Sequence, residues 1–253
     1  MSVEISEKMK VIESTILYNC EIRPNYFRMG FECSYVSKAK PGQFLSISIN
    51  GVEKNMPIRR PFTIYKIMGD KVEIIYKVKG KGTKLFTKLK KGDKINILGP
   101  LGNTFEIVKN SNSLVIGRGA GLATLANLGS SLKDAGCKVT TIASFRDESV
   151  NFIDDFIKGF SDKLIVVTDE DSSSDLKNVR KIIDEVKPDV IYCSGSKRIA
   201  RLLQKLDYKS YVSLEERMGC GLGACVTCSV MTRTGYKRVC KDGPAFDVKE
   251  VIL

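Results

Sequence analysis

The 253-residue chain contains no histidine. That absence excludes Ser-His-Asp and Cys-His catalysis, His-ligated haem, histidine-containing zinc sites and Rieske-type clusters. Any metal must therefore be held by Cys, Asp or Glu. The chain also lacks an apolar run approaching the ~20 residues needed to cross a bilayer. Residues 1–10 show neither an apolar leader core nor a cleavage pattern. A cytoplasmic protein with no membrane partner is expected. Internal repeats and low-complexity tracts are missing as well.

The chain is 43% hydrophobic and 28% charged, a globular composition. Its formal charge is +12, and the excess is uneven: residues 1–110 hold 20 Lys and Arg against 10 Asp and Glu. A solvated lysine-rich face explains this, as does a phosphate-bearing cofactor or an acidic partner. No recognition helix and no basic stretch interleaved with aromatics is present, so no nucleic-acid partner is expected. There are 8 cysteines. In a chain this long without a leader, such a number points to metal or redox chemistry rather than disulfides. Cys20, Cys33, Cys137 and Cys193 are scattered and are expected to be buried small hydrophobes.

Three regions differ in pattern. Residues 11–17, 26–33, 43–49, 61–67, 71–78 and 94–98 are rich in β-branched and aromatic residues and are separated by turn signals such as Lys40-Pro41-Gly42 and Lys91-Gly92-Asp93. They predict a six-stranded antiparallel β-barrel. Residues 112–211 alternate strand-like runs (113–116, 137–145, 163–168, 190–194) with helical runs (122–133, 150–160, 175–186, 197–206), and Asp175 is a candidate N-cap. That alternation predicts a parallel α/β sheet. Residues 212–253 have little periodicity and are too short to build an independent core, so a metal centre would help hold them.

The other four cysteines lie in that last region. Cys220, Cys225, Cys228 and Cys240 are spaced C-x4-C-x2-C-x11-C, the plant-type [2Fe–2S] pattern. Three thiolates must curl around one small cluster, and Gly219, Gly221 and Gly223 permit the backbone angles this needs. The competing reading is structural zinc, which usually pairs two short knuckles; here there is one C-x2-C and a lone fourth cysteine.

Two glycine-rich loops invite phosphate readings. Lys79-Gly80-Lys81-Gly82-Thr83 is not a P-loop, since Ile75 stands where the first glycine belongs. Gly117-Arg118-Gly119-Ala120-Gly121 follows a strand and opens a helix, a place suited to pyrophosphate, although the pattern is G-x-G-x-G and not the G-x-G-x-x-G fingerprint. Arg59-Arg60-Pro61-Phe62-Thr63 brings a cation, a ring and a hydroxyl together, a chemistry apt for a flavin.

Taken in order, these pieces resemble the ferredoxin–NADP reductase superfamily, and within it the iron–sulfur flavoprotein electron-transfer subunits of class 1B dihydroorotate dehydrogenase. Arg60-Pro61-Phe62-Thr63, Ile75-Tyr76-Lys77, Gly82-Thr83, Gly99-Pro100-Leu101-Gly102-Asn103 and the segment from Ser213 through Pro244 carry the resemblance. It implies an FAD-binding barrel domain over residues 1–105, an NAD-binding-like α/β domain over 106–211 and a [2Fe–2S] domain over 212–253. By the same resemblance Arg60 pairs with the FAD phosphates, and Pro61, Phe62 and Thr63, which follow it, lie by the flavin ring. Ile75, Tyr76 and Lys77 contact the cofactor, Gly82 and Thr83 contact its diphosphate, and Gly117, Gly119 and Gly121 face the NAD nucleotide. The four cluster cysteines carry over directly. The implied activity is an oxidoreductase's: electrons pass between NAD(H) and a catalytic flavoprotein partner of the dihydroorotate dehydrogenase type, in a hetero-oligomer serving pyrimidine biosynthesis. The chain itself has no orotate-handling site.

The departures from that family fall in the α/β region. Arg118 replaces the second glycine of the loop, Thr124 replaces a proline, and Ser194-Gly195-Ser196 replaces a Cys-Gly-Pro. Arg118 either adds a phosphate contact or fills the groove. Asp169-Glu170-Asp171 would repel a 2′-phosphate, so NAD(H) is expected over NADP(H). The alternatives are a self-sufficient NAD(P)H-dependent reductase and an electron-transfer subunit with a different partner.

Overall fold

The computed structural model describes residues 10–51 and 57–253. The N-terminal segment read above for a leader lies, up to residue 9, outside them.

The β-rich part contains β1 (Lys10–Arg23), β2 (Tyr26–Glu32), β3 (Phe44–Ile49), β4 (Arg60–Thr63), β5 (Lys66–Met68), β6 (Lys71–Lys77), the short helix α1 (Lys81–Phe86) and β7 (Lys94–Leu101). The seven strands form one curled antiparallel sheet in the order β4-β3-β7-β1-β2-β6-β5. Two expectations change here. The run over 61–67 is two strands, because the chain turns at Ile64 and Tyr65 into the core. The sheet is an open half-barrel, with β4 and β5 as its two edges. Alternation along β6 explains its place: Val72, Ile74 and Tyr76 enter the barrel core, whereas Ile75 points outward into a second core.

The α/β part contains β8 (Asn112–Arg118), α2 (Ala120–Asp134), β9 (Lys138–Phe145), α3 (Asp155–Phe160), β10 (Lys163–Thr168), α4 (Leu176–Val186), β11 (Val190–Ser194), α5 (Lys197–Leu203) and β12 (Lys209–Ser213). The C-terminal part contains β13 (Ser229–Thr232), β14 (Gly235–Arg238), α6 (Val239–Asp242) and β15 (Ala245–Asp247). The central sheet runs β10-β9-β8-β11-β12-β15, parallel except for β15. Near-continuous burial along β8, β9 and β11, with apolar cores on β8 and β11, is what strands covered on both faces show. Asp175 occupies the N-cap position of α4 but makes no side-chain cap bond. The helical run over 150–160 is shorter than expected, because Asp154 caps α3 by accepting the Ile157 N–H at 3.1 Å.

The parts share their cores. Tyr26, Tyr65 and Ile75 from the half-barrel pack with Leu122, Leu125 and Phe152 of the α/β part. Phe44 and Leu101 pack with Ile116, Cys228, Val239 and Cys240. A polar staple supports the first contact. Asp154 accepts hydrogen bonds from the Tyr65 hydroxyl at 2.6 Å and from Arg28 at 2.5 Å. Cys33, Cys137 and Cys193 are buried as expected, but Cys20 is exposed. It sits opposite Arg28 on the outer face of β1. Among the described residues, no helix is long and apolar enough to cross a membrane.

Candidate functional site

A cleft of about 920 Å³ opens where all three parts meet. Pro61, Phe62 and Thr63 of β4 and Ile75, Tyr76 and Lys77 of β6 form one wall, with Lys79 and Thr83 at one end. Ala120 and Thr124 of α2 face them, and Ser213, Leu214, Glu215, Glu216, Met218 and Pro244 close the far side. Strand alternation sorts these residues. The Phe62 and Tyr76 rings lie in the barrel core, 5.6 Å apart and both beside Phe86. The Tyr76 hydroxyl donates to Asn19 Oδ1 at 3.0 Å. Those two rings brace the wall, whereas Thr63 reaches across the cleft to Thr124, 3.1 Å between hydroxyl oxygens.

The end of the cleft fits a diphosphate. Arg60 lies over Gly82, where an added Cβ would sit 2.4 Å from the Arg60 Nε. Any larger residue at 82 would displace the guanidinium. The turn is held by Thr83, whose hydroxyl accepts the N–H groups of Lys79 at 2.9 Å and Gly80 at 3.2 Å. Apolar walls, one hydroxyl pair and a cation at one end match an amphipathic flavin nucleotide.

A second cleft of about 690 Å³ continues from the first. Lys77, Lys79, Ala120 and Glu215 line both. Its own walls include Tyr26, Arg118, Gly119, Gly121, Arg146 and Gly195. It lies where the central sheet changes direction, between the carboxyl ends of β8 and β11, the position at which doubly wound sheets bind nucleotides. The glycines divide by role. Gly119 has φ +51°, and Gly121 lets α2 press on β11, since a Cβ there would lie 2.5 Å from the Ser194 carbonyl oxygen. Gly117 lies beneath the loop, where a Cβ would meet Leu122 Cα at 2.4 Å. Its requirement is strand–helix packing.

Arg118 does not fill the groove between β8 and β11. Its side chain runs the other way, past Ser144 Oγ at 3.0 Å, and donates two hydrogen bonds to Asp169, at 3.0 and 2.5 Å. Those bonds, with one from Ser174, hold the Asp169 carboxyl down at about 2. Arg146 is likewise paired, with Asp147.

The four C-terminal cysteines fall into two pairs. Cys220 and Cys225 exchange backbone contacts, the Cys220 N–H reaching the Cys225 Sγ at 3.3 Å and the Cys225 N–H reaching the Cys220 Sγ at 3.4 Å. The Cys240 N–H reaches the Cys228 Sγ at 3.4 Å. The N–H groups of Leu222 and Gly223 point at the Cys220 and Cys240 sulfurs, at 3.3 and 3.1 Å. Among the described residues, no three Cys, Asp or Glu side chains gather tightly enough for a lone metal ion. Two thiol pairs with N–H donors aimed at the sulfurs suit a two-iron cluster, each pair serving one iron. Gly221 and Gly223 have positive φ, as expected; Gly219 does not, and its requirement is space, since a Cβ there would come within 2.9 Å of the Cys225 sulfur.

Thr124, read from the sequence as a departure from the family, and Ser213, Glu215 and Met218, read as part of the resembling C-terminal segment, were not placed at the flavin cleft. Their signal is topological, because each reaches the cleft from a part of the chain remote from the flavin motif.

A half-barrel with a cleft lined by the flavin motif, an α/β sheet with a glycine loop at its switch point and a four-cysteine loop define an iron–sulfur flavoprotein reductase of the ferredoxin-reductase fold. Residues 215–252 match the iron–sulfur cluster binding domain of dihydroorotate dehydrogenase B. The chain is 35% identical to the dihydroorotate dehydrogenase B (NAD(+)) electron transfer subunit of Caldanaerobacter subterraneus subsp. tengcongensis, covering 96% of this chain and 98% of that one. It is also similar to a chain in the structure of an NADH-dependent reduced ferredoxin–NADP oxidoreductase studied for flavin-based electron bifurcation. There the TM-score is 0.82 and the identity 30%, over 94% of this chain and 89% of that one. Phthalate dioxygenase reductase shares the fold, with a TM-score of 0.63 at 13% identity, over 88% of this chain and 87% of that one. The chain belongs to the family of dihydroorotate dehydrogenase B electron transfer subunits.

Proposed function

We propose that this chain carries electrons between NAD(H) and the catalytic chain of a dihydroorotate dehydrogenase, in a hetero-oligomer. The observation that carries the reading is the shared wall of the flavin cleft. Met218, two residues before Cys220, lines the same cleft as Thr63 and Lys77. A flavin in that cleft would lie against the cluster domain on one side and the nucleotide cleft on the other.

Domain limits of 1–105, 106–211 and 212–253 follow from this division of labour. The flavin supplies the exchange between two-electron hydride chemistry and one-electron transfer. The residues do the positioning. Arg60 and the α1 turn hold the diphosphate, Pro61, Phe62 and Thr63 line the ring edge, and Ile75, Tyr76 and Lys77 continue the same wall. Gly119 and Gly121 give the NAD pyrophosphate close backbone approach. Cys220, Cys225, Cys228 and Cys240 hold the [2Fe–2S] cluster.

The partner face fits the cluster loop. Cys225 is exposed, and Leu222 and Val226 beside it stand 43% and 59% exposed, an apolar rim around the cluster edge. Eight unpaired cysteines suit the reducing cytoplasm. A second reading, the same electron-transfer role for a different flavoprotein, is favoured by the 30% identity to the bifurcating oxidoreductase chain.

Co-purification tests the assignment. Tagged chain expressed with a dihydroorotate dehydrogenase catalytic chain from the same genome is expected to elute as one complex containing FAD and two irons per copy. Separate elution of the two chains at micromolar concentration counts against it.

A further inference from the structure

Arg238 ends β14 and stands two residues before Cys240. β14 pairs with β13, the strand that follows Cys228, so Arg238 lies opposite Ser229 and the Val239 N–H donates to the Cys228 carbonyl at 3.0 Å. The Arg238 guanidinium turns back over the cysteine loop. Its Nη1 donates to the Gly223 carbonyl and its Nε to Asp242 Oδ2, each at 3.1 Å. Gly223 is also the residue whose N–H is aimed at the Cys240 sulfur, at 3.1 Å. One side chain thus ties the loop that carries Cys220, Cys225 and Cys228 to the strand that delivers the fourth cysteine.

We propose that Arg238 is a positioning residue for the cluster, holding the Gly223 N–H on the Cys240 sulfur and, through its charge, raising the cluster's reduction potential. The inference rests on the [2Fe–2S] reading of the four cysteines. A cluster held by four thiolates is anionic and gains one further negative charge when it takes an electron. A nearby cation, and N–H groups directed at the sulfurs, therefore favour the reduced form. Arg238 is a cation bonded to the loop itself, and its side chain is 32% exposed, so water screens it less than a free surface lysine. Asp242 first, and then the buried Cys240 and Cys228 sulfurs, strengthen its hold on its proton. Lys241 also meets the loop, since a Cβ on Gly223 would lie 2.8 Å from its Cδ, but that residue is exposed and its charge is screened.

Bracing and charge have different consequences at Asp242, which accepts both the Arg238 N–H at 2.8 Å and the guanidinium. If Arg238 only braced the loop, losing either member of the pair would loosen the same bonds, and both variants would change the cluster alike. If its charge acts on the cluster, removing the cation and removing the anion move the potential in opposite directions.

The test is a redox titration of the full chain, loaded with flavin and cluster, in which electron paramagnetic resonance counts the reduced cluster. At the wild-type midpoint, Arg238→Gln is expected to lower the ratio of reduced to oxidised cluster about ten-fold, equivalent to a midpoint about 59 mV more negative. Arg238→Lys, which keeps the charge, is expected to lie between Arg238→Gln and wild type. Asp242→Asn is expected to raise the midpoint, and Lys241→Gln to move it less than Arg238→Gln does. An unchanged midpoint in R238Q, a midpoint in R238K no higher than in R238Q, or shifts of one sign in R238Q and D242N overturns the inference. So does a larger shift in K241Q. If R238Q does not retain its cluster, D242N decides, and an unchanged or lowered midpoint there overturns the inference. Wild-type protein without iron and acid-labile sulfide overturns the cluster reading itself.

Discussion

Thr63 and Thr124 meet hydroxyl to hydroxyl at 3.1 Å, one on the flavin-side strand β4 and the other on α2, the helix that begins at the glycine loop. Thr124 is 5% exposed. The bond joins the half-barrel to the α/β part, and both threonines line the flavin cleft. Thr124→Val is expected to cost about 1 kcal/mol, seen as a fall of roughly 2–4 °C in the thermal midpoint. It is also expected to shift the flavin absorbance maximum, because Thr63 would lose its hydrogen bond to Thr124. Thr124→Ser is expected to restore both readouts, and an unchanged spectrum in Thr124→Val would separate Thr63 from the flavin.

The Arg60–Gly82 contact makes a sharper prediction. At 2.4 Å, a Cβ on residue 82 cannot coexist with the guanidinium in place. Gly82→Val is expected to yield folded protein with its FAD content reduced about ten-fold. Gly80→Ala, at a neighbouring glycine with open space around its Cβ position, is expected to retain the cofactor. Absorbance of the released flavin after denaturation measures both.

Pairing of the cysteines predicts unequal consequences among the eight. Cys225→Ser or Cys228→Ser is expected to lower iron and acid-labile sulfide well below two per chain and to remove the cluster's visible absorbance. Cys20→Ser, at an exposed position far along β1, is expected to leave both intact. Iron and sulfide assays on the purified variants decide the matter, and zinc in place of iron in the wild type would refute the cluster.

Much of this organisation was legible in the sequence, for identifiable reasons. The cluster loop is local, so its spacing carried the reading. The α/β sheet was legible because short strand-like runs such as β8, β9 and β11 alternate with helical ones. The six expected strands became seven because Ile64 and Tyr65 are themselves strand-like in composition, and the turn they make is a tertiary feature. Helix α1 was hidden because Lys81–Phe86 is short and carries Gly82. The Arg118–Asp169 pair joins residues 51 apart in sequence, and no local pattern announces it. Phe62 and Tyr76, read as cofactor contacts by motif, line the cleft and also pack into the barrel core.

The staple between the parts is pH-sensitive. Burial pushes the Asp154 carboxyl up, but the Tyr65 hydroxyl, the Ile157 N–H and the Arg28 guanidinium outweigh it and hold it below the usual carboxylate range. A carboxylate depressed in the folded state stabilises the fold above its unfolded pKa of about 4, and that stabilisation is lost as pH falls through the folded value. Wild-type protein is therefore expected to lose thermal stability progressively below about pH 4. Asp154→Asn is expected to be less stable at pH 7 by about 1–3 kcal/mol, and the gap to wild type is expected to narrow in acid. Thermal melts across pH 3–7 make the comparison.

Electron relay between a nicotinamide nucleotide and a partner, through a flavin and a [2Fe–2S] cluster, is open to direct observation. The chain is mixed anaerobically with dihydroorotate, with and without the catalytic partner chain, and flavin and cluster absorbance are followed together. Dihydroorotate alone is expected to leave this chain unbleached, the partner's presence to bleach both chromophores, and added NAD to restore them. Bleaching by dihydroorotate without the partner, or a cluster that stays oxidised with the partner present, would contradict the relay.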